Sequence, residues 1–167
     1  MKIAVQLQPA DETPSEVEYR WDADTDILSA QLSPRSNGDG MSGSVGLEGT
    51  DGSWLILDVA AGRINGVEVA VWPDVRRVPS LNPPRQVEDA HVLLPSRRAQ
   101  ADVSSLEMET HLVADADQEH RTFHFKLGKP RNSRTVRLAP NLLLDIDDKS
   151  QLSGLWLLNV PPCPNEL

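Results

Sequence analysis

The stretch WLILDVAAGRINGVEVAVWP, residues 54–73, decides how the chain folds. Trp54 to Val59 is an apolar run of strand length, Ala60-Ala61-Gly62-Arg63 is a turn, and Ile64 to Trp72 returns along it. Gly62 suits a turn position with φ > 0. Gly66, inside the returning run, marks a bulge or a close backbone approach. Outward from this hairpin the apolar residues keep a period of two: Ile3, Val5, Leu7; Val17, Tyr19, Trp21; Leu28, Ala30, Leu32; Leu106, Met108, Thr110; Phe123, Phe125, Leu127. That period sends alternate side chains to opposite faces of a sheet. No long window carries the i, i+3, i+4, i+7 stripe of a helix, and 13 Pro and 10 Gly cut the chain into short pieces. The pattern predicts a mainly β protein. A short helical turn is expected at Pro73–Val78, with Pro at its first position, which gives an α+β variant of the same reading. The Gly-rich stretch from Pro34 to Gly52 reads as a loop.

The hairpin has an echo. In LLLDIDDKSQLSGLWLLNVP, residues 142–161, Leu142, Leu144, Asp145, Gly154 and Pro161 match Leu55, Leu57, Asp58, Gly66 and Pro73 once one extra residue is allowed. Upstream, Asp22-Ala23-Asp24 matches Asp115-Ala116-Asp117, and Pro34-Arg35 matches Pro130-Arg131. The order of features is kept, so the chain is expected to hold two diverged tandem copies of a β-hairpin unit, residues 1–83 and 84–167. The copies are joined near RRVPSLNPPRQ, a Pro-rich stretch that reads as a stiff linker. They are expected to pack as one compact pseudo-symmetric unit, a dimer-like monomer, and single-copy relatives to dimerise through the same surface.

Two blocks of the first half carry a resemblance. RWDADTDILSAQL, with Trp21, Asp22, Asp26 and Leu28, and WLILDVAAGRINGVEV, with Asp58, Gly62, Gly66 and Glu68, stand in the order seen in the family catalogued as domain of unknown function 2283. The first half resembles that family of small bacterial and archaeal proteins, and the second half resembles a diverged copy. The segment between the blocks, Ser33 to Ser53, is longer than the family pattern, and in the second copy Arg121 falls near the place of Asp26 and Trp156 replaces Glu68. The resemblance implies a compact mainly β or α+β module, sometimes placed beside small toxin-like genes, and hence a binding or neutralising role.

Composition narrows the function classes. At 167 residues, 39% apolar and 25% charged, the chain has the length and content for one buried core. It has no apolar stretch of membrane-spanning length. The start MKIAVQLQPADET lacks the apolar run of a secretory signal, so a soluble cytoplasmic protein is expected. The lone Cys163 supports neither a disulfide framework nor a Cys-based zinc site. The net charge of −9 argues against nucleic acid, whose phosphates demand Lys and Arg. Residues 1–83 hold 6 basic and 13 acidic groups, net −7, while residues 84–167 hold 10 and 12, net −2.

Two clusters are candidate sites. Asp22, Asp24 and Asp26 alternate like the first ligands of a calcium loop, and Asp58 and Glu68 would join them if the hairpins face each other. The sixth and twelfth loop positions, however, hold Ile27 and Ser33 instead of Gly and Glu, and Asp is a common turn residue whose side chain bonds its own backbone. Lys126, Lys129, Arg131, Arg134 and Arg137 lie close together with no acid among them, a patch for an acidic partner, for the first half's own acidic surface, or simply a solvated hairpin. The Gly38–Gly43 GxGxxG leads into no helix and so reads as a flexible loop. His91, His111, His120 and His124 lack converging partners for zinc. No nucleophile elbow exists, no catalytic residue is assigned, and no cofactor is implied. Trp21, Trp54, Trp72 and Trp156 read as core anchors. The leading expectation is a non-enzymatic binding or regulatory module, neutralising a small basic protein through its acidic first half. A divalent-metal binder or metal-dependent enzyme and a purely structural domain are the alternatives. The metal reading has a test in thermal unfolding. A cation at 100 times its Kd raises stability by about 2.7 kcal/mol, roughly 5–10 °C in the midpoint at this size, and Asp26→Ala abolishes the shift.

Overall fold

The computed structural model describes residues 3–9, 16–33, 42–94 and 105–164, with the backbone alone for residues 105–109. These residues form strands and turns and no helix. In chain order the strands are β1 (Gln6–Pro9), β2 (Glu16–Asp22), β3 (Ile27–Ser33), β4 (Gly43–Gly49), β5 (Trp54–Ala60), β6 (Arg63–Val71) and β7 (Val75–Arg77), then β8 (Val87–Leu93), β9 (Ser105–Thr110), β10 (Leu112–Ala116), β11 (Phe123–Leu127), β12 (Ser133–Ala139), β13 (Leu142–Asp147) and β14 (Leu152–Leu157). They make one curled mixed sheet, with the path β7-β10-β11-β14-β13-β12-β8-β6-β5-β4-β9 and with β1 on β8, β3 on β6 and β2 on β3 as branches.

The decisive hairpin forms as its sequence demands. Ala60 pairs with Arg63, and Ala61 and Gly62 between them both take positive φ, 53° and 76°. This is the backbone twist that two-residue hairpins favour. Two local expectations are corrected. Pro73–Val78 is not a helical turn: Val75–Arg77 is extended and pairs in parallel with β10, Val75 opposite Ala114, and the Val78 N–H closes the pairing on the Ala116 carbonyl at 2.8 Å. The Gly-rich stretch is not a loop throughout, because Gly43–Gly49 is β4, where Val45 and Leu47 reach the core. The alternation of two buried residues outweighs the glycines. The remainder of the GxGxxG, Gly38 to Met41, lies outside the described residues.

One order of pairing occurs twice. β2-β3-β6-β5-β4 runs side by side in the first half, and β10-β11-β14-β13-β12 in the second. In each set the register slips just beyond an Asp–Gly pair, Asp58 with Gly66 and Asp145 with Gly154. With those glycines as reference, Asp22 falls on Asp117, not on Asp115: the Asp117 N–H donates to the Thr122 carbonyl where Asp22 pairs with Ile27. The outer strands cross over. β9 lies parallel to β4, β8 parallel to β12, and β7 parallel to β10, so a strand from beyond residue 84 completes the first half's sheet and one from before it edges the second.

Both halves turn apolar faces into one core. Leu28, Leu55, Leu57 and Val69 from the first and Phe125, Leu144, Leu155 and Leu157 from the second are fully buried in a single cluster. Trp72 sits at the seam, stacked on Trp21 at 5.7 Å and tilted against Phe123 and Phe125. Polar latches cross the same seam. The Tyr19 hydroxyl donates to the Asn141 carbonyl and accepts from the Leu158 N–H, and burial pushes its pKa up. The Trp21 indole donates to the Pro161 carbonyl at 2.8 Å.

Gly66 and Gly154 are forced by close approach. A Cβ on either would stand 2.7 Å from a backbone carbonyl of the neighbouring strand, Ala30 or Phe125. Backbone cannot yield as a flexible side chain does. We therefore expect Gly66→Ala and Gly154→Ala each to cost about 1–3 kcal/mol, read as a fall of roughly 2–12 °C in the thermal midpoint.

Candidate functional site

The outward face of the second half holds polar groups that the sheet brings together from distant positions. β11 reads FHFKL, so Phe123, Phe125 and Leu127 point into the core and His124 and Lys126 point out. In β13, LLLDID, the same alternation sends Leu142, Leu144 and Ile146 inward and Leu143, Asp145 and Asp147 outward. β14 lies between β11 and β13, so His124 and Asp145 sit on next-but-one strands, about 9–10 Å apart at the backbone. Gly154 occupies the gap. A Cβ there would stand 2.8 Å from Asp145 Oδ2, so the missing side chain is the slot through which Asp145 reaches His124 Nε2 at 2.7 Å.

Asp145 is 8% exposed and fully engaged. Oδ1 accepts from the Thr135 hydroxyl at 2.8 Å and from the Trp156 indole at 3.3 Å. Oδ2 takes the imidazole. The His124 ring lies flat on Trp156, centroids 3.9 Å apart and planes 9° from parallel. Around this network opens a cavity of about 380 Å³, lined also by Lys126, Lys129, Arg131, Asn132, Ser133 and Ser153. Ser153 is the extra residue of the β13–β14 bulge, which turns its hydroxyl toward Ser133 at 2.6 Å. The His–Asp pair has the form of a base and its orienting group, and among the described residues no hydroxyl or thiol bonds to the imidazole.

The fold pairs most of the basic cluster with carboxylates while leaving Lys126, Lys129 and Arg131 around one cavity. Lys126 Nζ pairs with Asp115 Oδ2 at 2.8 Å, and Arg76 takes the other oxygen. Arg131 Nε sits 2.6 Å from Asp147, and the rest of its guanidinium donates to the carbonyls of Leu127, Lys129 and Leu152. Arg137 pairs with Asp89 at 2.6 Å, and Arg134 approaches Glu88 at 3.9 Å. Arg134 also alternates with Thr135 in β12 and so lies on the sheet's other face. Of the five, Lys129 alone makes no ion pair among the described residues.

The acidic cluster is likewise spread. Asp22 Oδ1 accepts the Asp24 N–H at 2.9 Å and the Asp22 carbonyl accepts the Asp26 N–H, a turn built on its own backbone. Asp26 takes φ 59°, and its carbonyl holds the Trp72 indole. Asp58 and Glu68 stand away from that turn on the outward face of β5 and β6, Asp58 opposite Gly66 and Glu68 opposite Ile56 and Ser29. Among the described residues no three His, Cys, Asp or Glu side chains are grouped to hold a metal.

His124 and Asp145 were hidden from a residue-by-residue reading. The usable signals were the alternation in FHFKL and the Asp–Gly echo, which puts Asp145 next to a strand glycine. His120 does not share the strand face of His124; it sits in a turn at φ 55°, near Arg77. Of the tryptophans, Trp21 and Trp72 pack on the core as anchors, while Trp156 is 5% exposed on the outward side. The chain matches no family model and no curated protein.

Burial alone would raise the Asp147 carboxyl, but the Arg131 guanidinium and the N–H groups of Gln151 and Lys149 outweigh it and leave it below its ordinary 3.8. Asp115 follows the same balance, with Lys126 and Arg76 as its cations. A carboxyl depressed in the folded state stabilises above its unfolded pKa and loses that contribution as pH falls through the folded value. Asp147→Asn should lower the thermal midpoint at pH 7, and the gap from the parent should close as the pH is taken down below 3.8. A gap that stays constant with pH would contradict this.

Proposed function

We propose that the chain is a non-enzymatic binding and regulatory module whose acidic first half receives a small basic protein. One observation carries this reading: the two halves differ in how their charges are spent. Four cations of the second half, Lys126, Arg131, Arg134 and Arg137, pair with carboxylates of the same chain, which leaves less of the cluster at residues 126–137 for an acidic partner. In the first half Asp22, Asp24, Glu48 and Glu68 make no ion pair among the described residues, and Glu18 meets only the exposed Arg20 at 3.4 Å.

Glu18, Glu48 and Glu68 share one sheet face with apolar anchors, and Asp22 and Asp24 belong to the turn between β2 and β3. Rows of paired residues run across that face: Glu18 beside Gln31, and Arg20, Ser29, Glu68 and Ile56 in line. Trp54 lies half-buried over Gly46 at the far side. Carboxylates around an aliphatic and an aromatic residue suit a Lys- and Arg-rich surface, with charge setting orientation and encounter rate. We also read the chain as two diverged copies of one unit packed about a pseudo-dyad. The repeated pairing order and the repeated Asp–Gly pairs support that reading, while kinship of the first half with domain of unknown function 2283 rests on its two sequence blocks alone. A cytoplasmic site of action fits the single cysteine, and among the described residues no helix is long and apolar enough to cross a membrane.

An oligo-lysine peptide is a direct probe of the acidic face. We expect saturable binding at low salt that weakens steeply with ionic strength. Glu18→Lys with Glu68→Lys should weaken it about tenfold or more, and Lys129→Glu should leave it unchanged. Equal binding by the double variant would overturn the proposal.

A further inference from the structure

We propose that the cavity on the outward face of the second half is a binding site for a small oxyanion, the phosphate or carboxylate group of a metabolite-sized ligand. At about 380 Å³ it falls within the range of small-molecule sites. Its donors outnumber its acceptors. Lys129 makes no ion pair among the described residues. Lys126 spends one of its three N–H donors on Asp115 and is 40% exposed. The hydroxyls of Ser133 and Ser153 lie 2.6 Å apart and Ser133 also donates to the Arg131 carbonyl at 3.4 Å, so a ligand takes the Ser153 O–H by replacing its bond to Ser133. The single carboxylate in the lining, Asp145, already accepts from Thr135, Trp156 and His124, which takes three of its roughly four lone-pair sites.

The frame is also built in advance. Arg131 does not serve the ligand with its own donors. It clamps the turn that carries Lys129, donating to the carbonyls of Leu127, Lys129 and Leu152 at 2.7–3.0 Å while Asp147 holds its Nε. A braced cationic loop facing a fixed polar wall lowers the ordering cost of binding. The site lies on a different half from the acidic face, so its failure leaves the protein-binding reading intact.

The test is calorimetric titration of the full chain with inorganic phosphate, a phosphomonoester and succinate, with the Trp156 indole N–H signal followed by NMR. We expect saturable binding of at least one of them with a Kd of about 1 mM or tighter, with a shift of the Trp156 signal. Phosphate and phosphomonoester against succinate tells the two head groups apart. Lys129→Glu, at a surface turn where it breaks no ion pair, should weaken binding about tenfold or more, and Ser153→Ala a few-fold. Arg134→Ala, on the other sheet face, should change nothing. No saturation with any of the three probes would overturn the proposal. So would equal weakening by Arg134→Ala, which would mean nonspecific charge.

Discussion

Neither half of this sheet can cover its own apolar face, and the fold follows from that. Leu55 and Leu57 of the hairpin that decides the topology lie in the same cluster as Leu144 and Leu155 of its echo, each fully buried side chain contributing about 1.5–3 kcal/mol. Trp72 joins the two faces because it touches the first half's Trp21 and the second half's Phe123 and Phe125 at once. The polar groups at the seam are placed to suit. Tyr19 both donates and accepts across it, so a buried hydroxyl and two backbone groups are satisfied together.

With the inner faces committed to one another, the outer faces diverge. In the second half the middle of the outward face, on β13 and β14, is also buried. Leu143, Asp145, Asp147 and Trp156 are all less than a tenth exposed. Burial of carboxylates requires donors, and Thr135, His124, Trp156 and Arg131 supply them. In the first half the corresponding face keeps the exposed acids Glu18 and Glu48, with Ser29 where the second half has His124 and the half-buried Glu68 where it has Trp156. The same pairing scheme thus holds a closed network on one side and an open charged surface on the other.

Much of this was legible in the residues. Period-two alternation identified β2, β3, β9 and β11, and the Gly62 turn fixed the hairpin of β5 and β6. Legibility failed where long-range contact outweighed local signal. β4 was obscured because glycines at 43, 46 and 49 look like loop, yet Val45 and Leu47 pay for a strand once β5 and β9 flank it. Val75–Arg77 follows a proline that starts helices well, but Arg76 is drawn to Asp115 on a strand formed much later in the chain. In the cluster at residues 126–137, sequence proximity did not show which carboxylate each cation meets or that Arg134 takes the other face. The cluster's partners, Asp89, Asp115 and Asp147, come from three separate strands.

The crossed outer strands set the timetable of folding. Ile3 and Val5 are tied by backbone hydrogen bonds to Leu152 and Ser150, contacts between residues roughly 150 apart in sequence. β9 reaches back to β4, and β8 forward to β12. Such non-local parallel pairings require loop closure before they return any stability, which makes them slow. A chain emerging from the ribosome can form the hairpin of β5 and β6 early. It cannot close its core until the hairpin of β13 and β14 has been synthesised, and until β9 arrives the edge of β4 stays open to any strand that meets it.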